Sequence, residues 1–233
     1  MNLKPTYFAL PYSKGVCFCL DRCPEEVGSF LLRLSESWIT EGEVLKNGSR
    51  SLVLRVDIGG VFYILKIYNK RALHRRLRYA ISYSRAFQSW KSGHQMAKAG
   101  IPVACPLAIL EERKFFIPGR AILLMPVAQG DDLLSLVKDD KLSETQLGRI
   151  ADKLTSLFQK MKSSSMTHGD MKATNILIDD KCEPSLIDMD GGVLHVSDKS
   201  FQVSREKEKA RFMKNWESYP AAKEAFRNVF GEG

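Results

Sequence analysis

Residues 168–175 read His-Gly-Asp-Met-Lys-Ala-Thr-Asn, and residues 186–191 read Leu-Ile-Asp-Met-Asp-Gly. Between them, Ile176-Leu177-Ile178 is a short β-type run, Asp179-Asp180-Lys181-Cys182 is turn-rich, and 184–187 is a second run. This predicts a β-hairpin. A hairpin returns to where it began, so Asn175 and Asp188, 13 positions apart, come side by side at its open end. The chain must therefore fold so that one polar loop, carrying Asp170, Lys172 and Asn175, lies against a second carboxylate. An Asp/Asn-rich turn would account for any one of these residues; it does not account for the ordered set. An amide and a carboxylate also suit magnesium, which takes oxygen ligands and keeps several of its waters.

The remaining composition fits an ordinary globular chain. Of 233 residues, 44% are apolar and 27% charged, enough for a packed core. No run approaches the ~20 apolar residues of a membrane helix; the longest, Ala121 to Ala128, suits a buried strand. The start of the chain, with Lys4, Pro5, Pro11 and Lys14, lacks the apolar centre of a signal peptide, so a cytoplasmic protein is expected. Five cysteines form no disulfide framework. Cys17, Cys19 and Cys23 lie close together but without finger-like partners, and are expected to be small packed thiols. The net charge of +8 is unevenly placed. From Ile58 through Leu110 there is no Asp or Glu, while Lys66, Lys70, Arg71, Arg75, Arg76, Arg78, Arg85, Lys91 and Lys98 fall in that stretch. Such a block attracts anions.

Residues 1–40 are ambiguous, although Phe30, Leu31, Leu34 and Trp38 have helical spacing within 27–39. Strands are expected at 43–46, 51–58 and 61–68. Leu52, Leu54, Val56 and Ile58 alternate strictly, and Gly59-Gly60 signals a hairpin turn. Lys66 stands in the third strand, where a lysine is costly unless it meets an anion or snorkels to an edge. A helix is expected at 84–99, ended by Gly100 and Pro102, then strands at 105–110 and 121–127 and a short helix at 132–137. An amphipathic helix at 143–162, capped by Ser143, would bury Leu147, Ile150, Ala151, Leu154, Leu157, Phe158 and Met161. The 42 residues after Gly191 read as one or two helices around Phe212, Trp216 and Phe226.

The polar loop resembles the catalytic loop of protein kinases, H-R-D-x-x-x-x-N followed by D-F-G. Here it reads H-G-D-x-K-x-x-N, then D-M-D-G, with Gly169 in place of Arg. The resemblance implies phosphoryl transfer from ATP with Mg2+. Asp170 would orient or deprotonate the acceptor hydroxyl, Lys172 would steady the γ-phosphate, and Asn175 and Asp188 would hold the metal. Lys66 would grip the α- and β-phosphates, Asn47, Gly48 and Ser49 would form the loop over them, and the backbone at Met125 and Val127 would face adenine. His168 would fix the loop by hydrogen bonding, and Asp190 would either cap the turn or serve as a second metal ligand. The implied fold is α+β, protein-kinase-like and bilobal: an N-terminal extension over 1–42, an antiparallel-sheet N-lobe and hinge over 43–130, and a reduced, mainly helical C-lobe over 131–233. Two departures stand out. The phosphate loop has one glycine rather than G-x-G-x-x-G, and the helix at 84–99 offers no Glu for Lys66. Either Glu111 or Glu112, the nearest carboxylates in sequence, takes that role, or the pair is absent.

Residues 43–215 together resemble the lipopolysaccharide core kinases, which phosphorylate Kdo or heptose of the inner core. The resemblance rests on 45–51 (Leu-Lys-Asn-Gly-Ser-Arg-Ser), 63–68 (Tyr-Ile-Leu-Lys-Ile-Tyr), 99–108 (Ala-Gly-Ile-Pro-Val-Ala-Cys-Pro-Leu-Ala), His168-Gly169-Asp170, Asn175-Ile176-Leu177 and Leu186 to Asp190. It implies an anionic glycolipid acceptor and peripheral contact with the cytoplasmic face of the inner membrane, each nearby Lys or Arg contributing about 1 kcal/mol. The short tail without A-P-E disfavours a peptide platform, and no protein partner is expected. The alternatives are a minimal RIO-like protein Ser/Thr kinase and an ATP-binding pseudokinase adaptor, the latter suggested by the missing helix Glu. A nucleic-acid binder has only charge in its favour and is not expected.

Overall fold

The computed structural model describes residues 7–9, 15–20, 24–37, 41–68, 84–114 and 117–231. Trp38, Ile39, Cys23 and the basic residues Lys70, Arg71, Arg75, Arg76 and Arg78 lie outside these, as do the side chains of Cys17 and Cys19. The chain divides into two compact units, 1–90 with 105–127, and 91–104 with 128–233.

The first unit holds β1 (Tyr7–Ala9), β2 (Gly15–Leu20), α1 (Glu25–Ser37), β3 (Glu43–Asn47), β4 (Ser51–Ile58), β5 (Val61–Tyr68), the first part of α2 (Arg85–Lys98), β6 (Ala108–Lys114) and β7 (Ile117–Pro126). Among the described residues, seven strands form one antiparallel sheet in the order β1-β2-β6-β7-β5-β4-β3. Strand alternation divides its faces. Leu54, Val56, Ile58, Tyr63, Leu65, Ala108, Leu110, Ile122 and Leu124 pack with Val27, Leu31 and Leu34 of α1. The i, i+4, i+7 spacing of those three residues puts them on one helix face. On the other face Tyr68, Ile109, Ala121 and Leu123 pack with Ala86 and Trp90 of α2. The alternation expected in β4 is present, with Leu54, Val56 and Ile58 buried and Arg55 and Asp57 exposed. Gly59 and Gly60 turn the β4–β5 hairpin at φ of 64° and 82°, the pair of positive values a type I′ turn needs. The ambiguous first 40 residues supply β1 and β2, which extend the sheet beyond β6, and α1.

The second unit contains the end of α2, β8 (Asp131–Asp132), α3 (Leu133–Lys138), α4 (Glu144–Ser163), β9 (Met166–Thr167), β10 (Ile176–Ile178), β11 (Pro184–Leu186), β12 (Val193–Leu194), α5 (Asp198–Lys214) and α6 (Pro220–Ala225). Ser143 and Gln146 cap α4 reciprocally as a capping box. The helix buries Leu147, Ile150, Leu154, Leu157, Phe158 and Met161, with Ala151 at the margin. Phe158 stacks on Phe230 at 4.0 Å, and Trp216 tilts onto Phe226 at 5.0 Å. The tail thus closes the core around the aromatic residues its sequence singles out.

One strand expectation is corrected. The strand expected over 105–110 begins instead at Ala108: Pro106 has no N–H to give a ladder, Leu107 already donates to the Leu124 carbonyl at 2.8 Å, and the chain just before Cys105 pairs elsewhere. The Ala104 N–H donates to the Leu186 carbonyl at 2.9 Å, and the Leu186 N–H donates to the Pro102 carbonyl at 3.0 Å. The 100–104 segment therefore runs along β11, parallel to it at Val103. Gly100, at φ 71°, ends α2 with the Ile101 N–H on the Met96 carbonyl and its own N–H on the Ala97 carbonyl, a Schellman closure. Burial pushes the Cys105 thiol up to about 11, which makes it inert, and Cys182 is buried in the core.

Candidate active site

Two antiparallel pairs frame the polar loop. β9 pairs with β12 on one side, and β10 pairs with β11 on the other, with Ile176 opposite Leu186. The loop 168–175 and the segment 187–192 therefore lie side by side. The Ile187 N–H donates to the Asn175 carbonyl at 3.0 Å. His168, fully buried, bridges the two: its Nε2 donates to the Ile187 carbonyl at 2.8 Å, and its Nδ1 accepts the Asp170 N–H at 3.3 Å. Burial holds its pKa below the usual 6.5 against the Ile187 hydrogen bond and the charges of Asp188, Asp170 and Asp190. A neutral ring with both nitrogens engaged fixes backbone and has no lone pair left for proton transfer.

Asp170 is the centre of the cluster. Its Oδ2 is 3.1 Å from Lys172 Nζ, and its Oδ1 is 2.5 Å from Arg211 Nη1. The Asn175 amide group donates to the Asp170 carbonyl at 2.9 Å and to Oδ2 at 3.4 Å. With its NH2 so engaged, Asn175 keeps Oδ1 for a cation. Asp188, at φ 64°, follows the residue pinned to Asn175 and precedes the 3₁₀ turn Met189–Gly191, which holds Asp190. An amide oxygen and a carboxylate are the donors a small hard dication prefers, so the pair fits magnesium. Among the described residues no group of three or more His, Cys, Asp or Glu could hold a metal, so waters and phosphate oxygens would complete the sphere.

Three supports of this loop escape a reading of the sequence. Gly169 has φ 82°, and a Cβ there would overlap the Gly191 carbonyl and stand 2.7 Å from Gly191 Cα. This explains the departure from H-R-D: the loop is packed backbone to backbone, where no side chain fits. Ser92 on α2 donates its hydroxyl to the Gly192 carbonyl at 2.7 Å. Glu208 on α5, buried, accepts the backbone N–H groups of Gly169 and His168. Within a run of alternating charges from Arg205 to Lys209, Glu208 looks like part of a solvated helix face. Its only sequence signal is its place between Phe201, Arg205 and Phe212 on the stripe that α5 buries.

Burial raises the Glu208 pKa from 4.5 to about 7, against the loop N–H groups and Arg211, which lower it. Between those values the folded carboxyl keeps a proton that the unfolded one has lost. Its stabilising contribution is therefore full below pH 4.5 and is lost as pH rises through about 7, by roughly 3 kcal/mol in all. His168 acts in the opposite sense, its contribution being lost as pH falls below 6.5. Glu208→Gln keeps an acceptor for Gly169 and is expected to remove the first trend alone. Denaturant midpoints at pH 5 and pH 8 check this; equal pH dependence in variant and wild type would contradict it.

The other expected site residues lie in the first unit. Lys66 is buried on β5, its Nζ 5.1 Å from the Tyr68 ring centroid, with Leu123 opposite it on β7. Met125 pairs with Ile64 on the same two strands, and Val127 follows β7, exposed. Asn47 ends β3, and Gly48 and Ser49 form the turn into β4, closed by the Gly48 N–H on the Ser51 carbonyl at 3.0 Å. Register separates the two carboxylates left open above. Tyr68, Ala121 and Glu111 form one cross-strand row on the face that carries Lys66. The neighbouring Glu112 accepts the Arg120 N–H at 3.1 Å and pairs with its guanidinium.

Residues 30–221 match the family model described as lipopolysaccharide kinase (Kdo/WaaP) family. No curated protein gives a significant match.

Proposed function

The chain belongs to the lipopolysaccharide kinase (Kdo/WaaP) family, phosphotransferases that act on sugar hydroxyls, and on that premise we propose that it transfers the ATP γ-phosphoryl group to a Kdo or heptose hydroxyl of the inner core. The observation that carries this reading is the Asp170 cluster, in which one carboxylate lies beside an amide-and-carboxylate pair and between two cations. Asp170 takes the proton of the attacking hydroxyl as the new sugar O–P bond forms and the bond to the β-phosphate oxygen breaks, releasing ADP. Lys172 leans from Asp170 toward the transferred group and offsets its charge. Lys66 binds the α- and β-phosphates, the turn at Asn47, Gly48 and Ser49 offers them backbone N–H groups, and the backbone at Met125 and Val127 meets adenine. Asn175 and Asp188 would hold Mg2+, which supplies charge neutralisation of the β- and γ-phosphate oxygens. In this reading the first unit is the nucleotide lobe and the second the catalytic lobe.

Among the described residues no helix is long and apolar enough to cross a membrane. We place the protein in the cytoplasm, held to the inner face of the membrane by its basic stretch.

The test is transfer of labelled γ-phosphate to purified inner-core lipopolysaccharide and to Kdo-lipid A, with mass spectrometry of the glycan. A phosphate on the sugar supports the reading and names the acceptor. ATP binding without transfer to any core acceptor would favour the pseudokinase reading, for which the absence of an acid from α2, in the stretch Ser89-Trp90-Lys91, is the specific observation.

A further inference from the structure

Arg211 is the one member of the Asp170 cluster that the phosphoryl-transfer roles leave unassigned. It stands on α5 one turn after Glu208, at the edge of the stripe Phe201, Arg205, Glu208 and Phe212 that the helix buries. Glu208 ties α5 to the loop backbone, which fixes the root of the Arg211 side chain relative to Asp170. The Arg211 side chain is half exposed, at 52%. Only its Nη1 is engaged among the described residues, with Asp170 Oδ1 at 2.5 Å and the Gly169 carbonyl at 3.4 Å. A guanidinium carries five N–H donors in a planar fork, and its remaining edge, Nε with Nη2, is the geometry that grips a carboxylate or phosphate with two parallel bonds.

Lys172 and Arg211 share the single Asp170 carboxylate, so Asp170 alone does not neutralise both, although the carboxylates of Asp188 and Asp190 lie on the neighbouring segment. Once Lys172 turns to the γ-phosphate, Arg211 is the cation left on the acceptor side. An anion held on its outer edge lies within one guanidinium width of the hydroxyl that Asp170 activates.

We propose that Arg211 is a specificity-determining residue: one edge of its guanidinium orients Asp170, and the other binds an anionic group, a carboxylate or phosphate, carried by the acceptor near the hydroxyl that is phosphorylated. The inference rests on the kinase reading above and deepens it, because it makes the acceptor's own charge part of the recognition.

The experiment compares acceptors that differ only in that charge, with the full chain at saturating MgATP. One pair is Kdo and its methyl ester. The other is Kdo-lipid A and the same glycolipid with its lipid A phosphates removed. Wild type is expected to prefer the charged member of one pair by roughly 10- to 100-fold in kcat/KM, mainly through KM for the acceptor. The first pair assigns the anion to the sugar carboxylate, the second to the lipid phosphates. In Arg211→Ala the preference falls to about one, and Arg211→Lys restores part of it. A variant that slows charged and uncharged acceptors equally reduces Arg211 to a support of Asp170 and overturns the proposal. So does a wild-type enzyme that transfers phosphate but ignores acceptor charge, which leaves the kinase reading intact. A wild type that transfers to none of the four acceptors overturns both.

Discussion

Replacing Asp170 by Asn is expected to lower kcat by about 10²- to 10⁴-fold and to leave MgATP affinity nearly unchanged. The magnitude is that of removing a general base positioned on the attacking group. Asn is close in shape to Asp, and its amide oxygen can still accept from Arg211 at the site of Oδ1. What is lost is the charge that draws the hydroxyl proton and balances Lys172 and Arg211. Nucleotide contacts are assigned to other residues, so the loss falls on the chemical step. The measurement is single-turnover phosphate transfer, with nucleotide binding followed separately. Retention of more than about a tenth of wild-type kcat would remove Asp170 from the role of base. An equal loss in binding and chemistry would mean that the loop had collapsed.

Gly169→Ala is expected to be the most disruptive small substitution in the loop. Two effects act together. An L-residue at φ 82° is strained, by about 1–3 kcal/mol. The added methyl also meets the Gly191 carbonyl and Cα, which are backbone atoms held by the flanking strand pairs and cannot move aside cheaply. The loop must shift, carrying with it the Gly169 N–H that Glu208 accepts and the adjacent Asp170. A combined loss of about 3–5 kcal/mol is expected, with transfer activity falling along with stability. Gly60→Ala is the control. Gly60 has the same φ of 82° but nothing within 4 Å of a Cβ, so that variant reports the backbone strain alone. If the two substitutions cost the same, the close packing of Gly169 on Gly191 contributes nothing.

These two predictions differ in how far the sequence anticipates them. The Asp170 cluster could be anticipated from the motif, because its neighbours there are also its neighbours in space: Lys172 and Asn175 lie within five residues of it. The effect of a methyl at Gly169 could not, because the atom it meets belongs to Gly191, 22 residues on, and its proximity depends on two strand pairings. The same division holds in the scaffold. The alternation in β4, the capping box at Ser143 and Gln146, and the hairpin of β10 and β11 are local patterns, and all three are present. β1 and β2 leave little pattern. They are short; β1 is held by backbone pairing to β2, and β2 by pairing to β6, far along the chain.

Local order was therefore written in the chain itself: the loop with its Asp, Lys and Asn, the hairpin that returns Asp188 to Asn175, and the helix and strand periods that build the two units. Tertiary structure alone decided what surrounds and supports them. It buried Glu208 under the loop, set Arg211 on Asp170, tied Ser92 to Gly192, and turned Glu111 rather than Glu112 toward the Lys66 face. The physical reason is range. Periodicity, capping and turn chemistry act over a few residues and can be read along the chain. A hydrogen bond spanning 39 to 100 residues depends on where packing brings two distant segments together, and a charged residue on a helix looks the same in sequence whether it faces water or a catalytic loop.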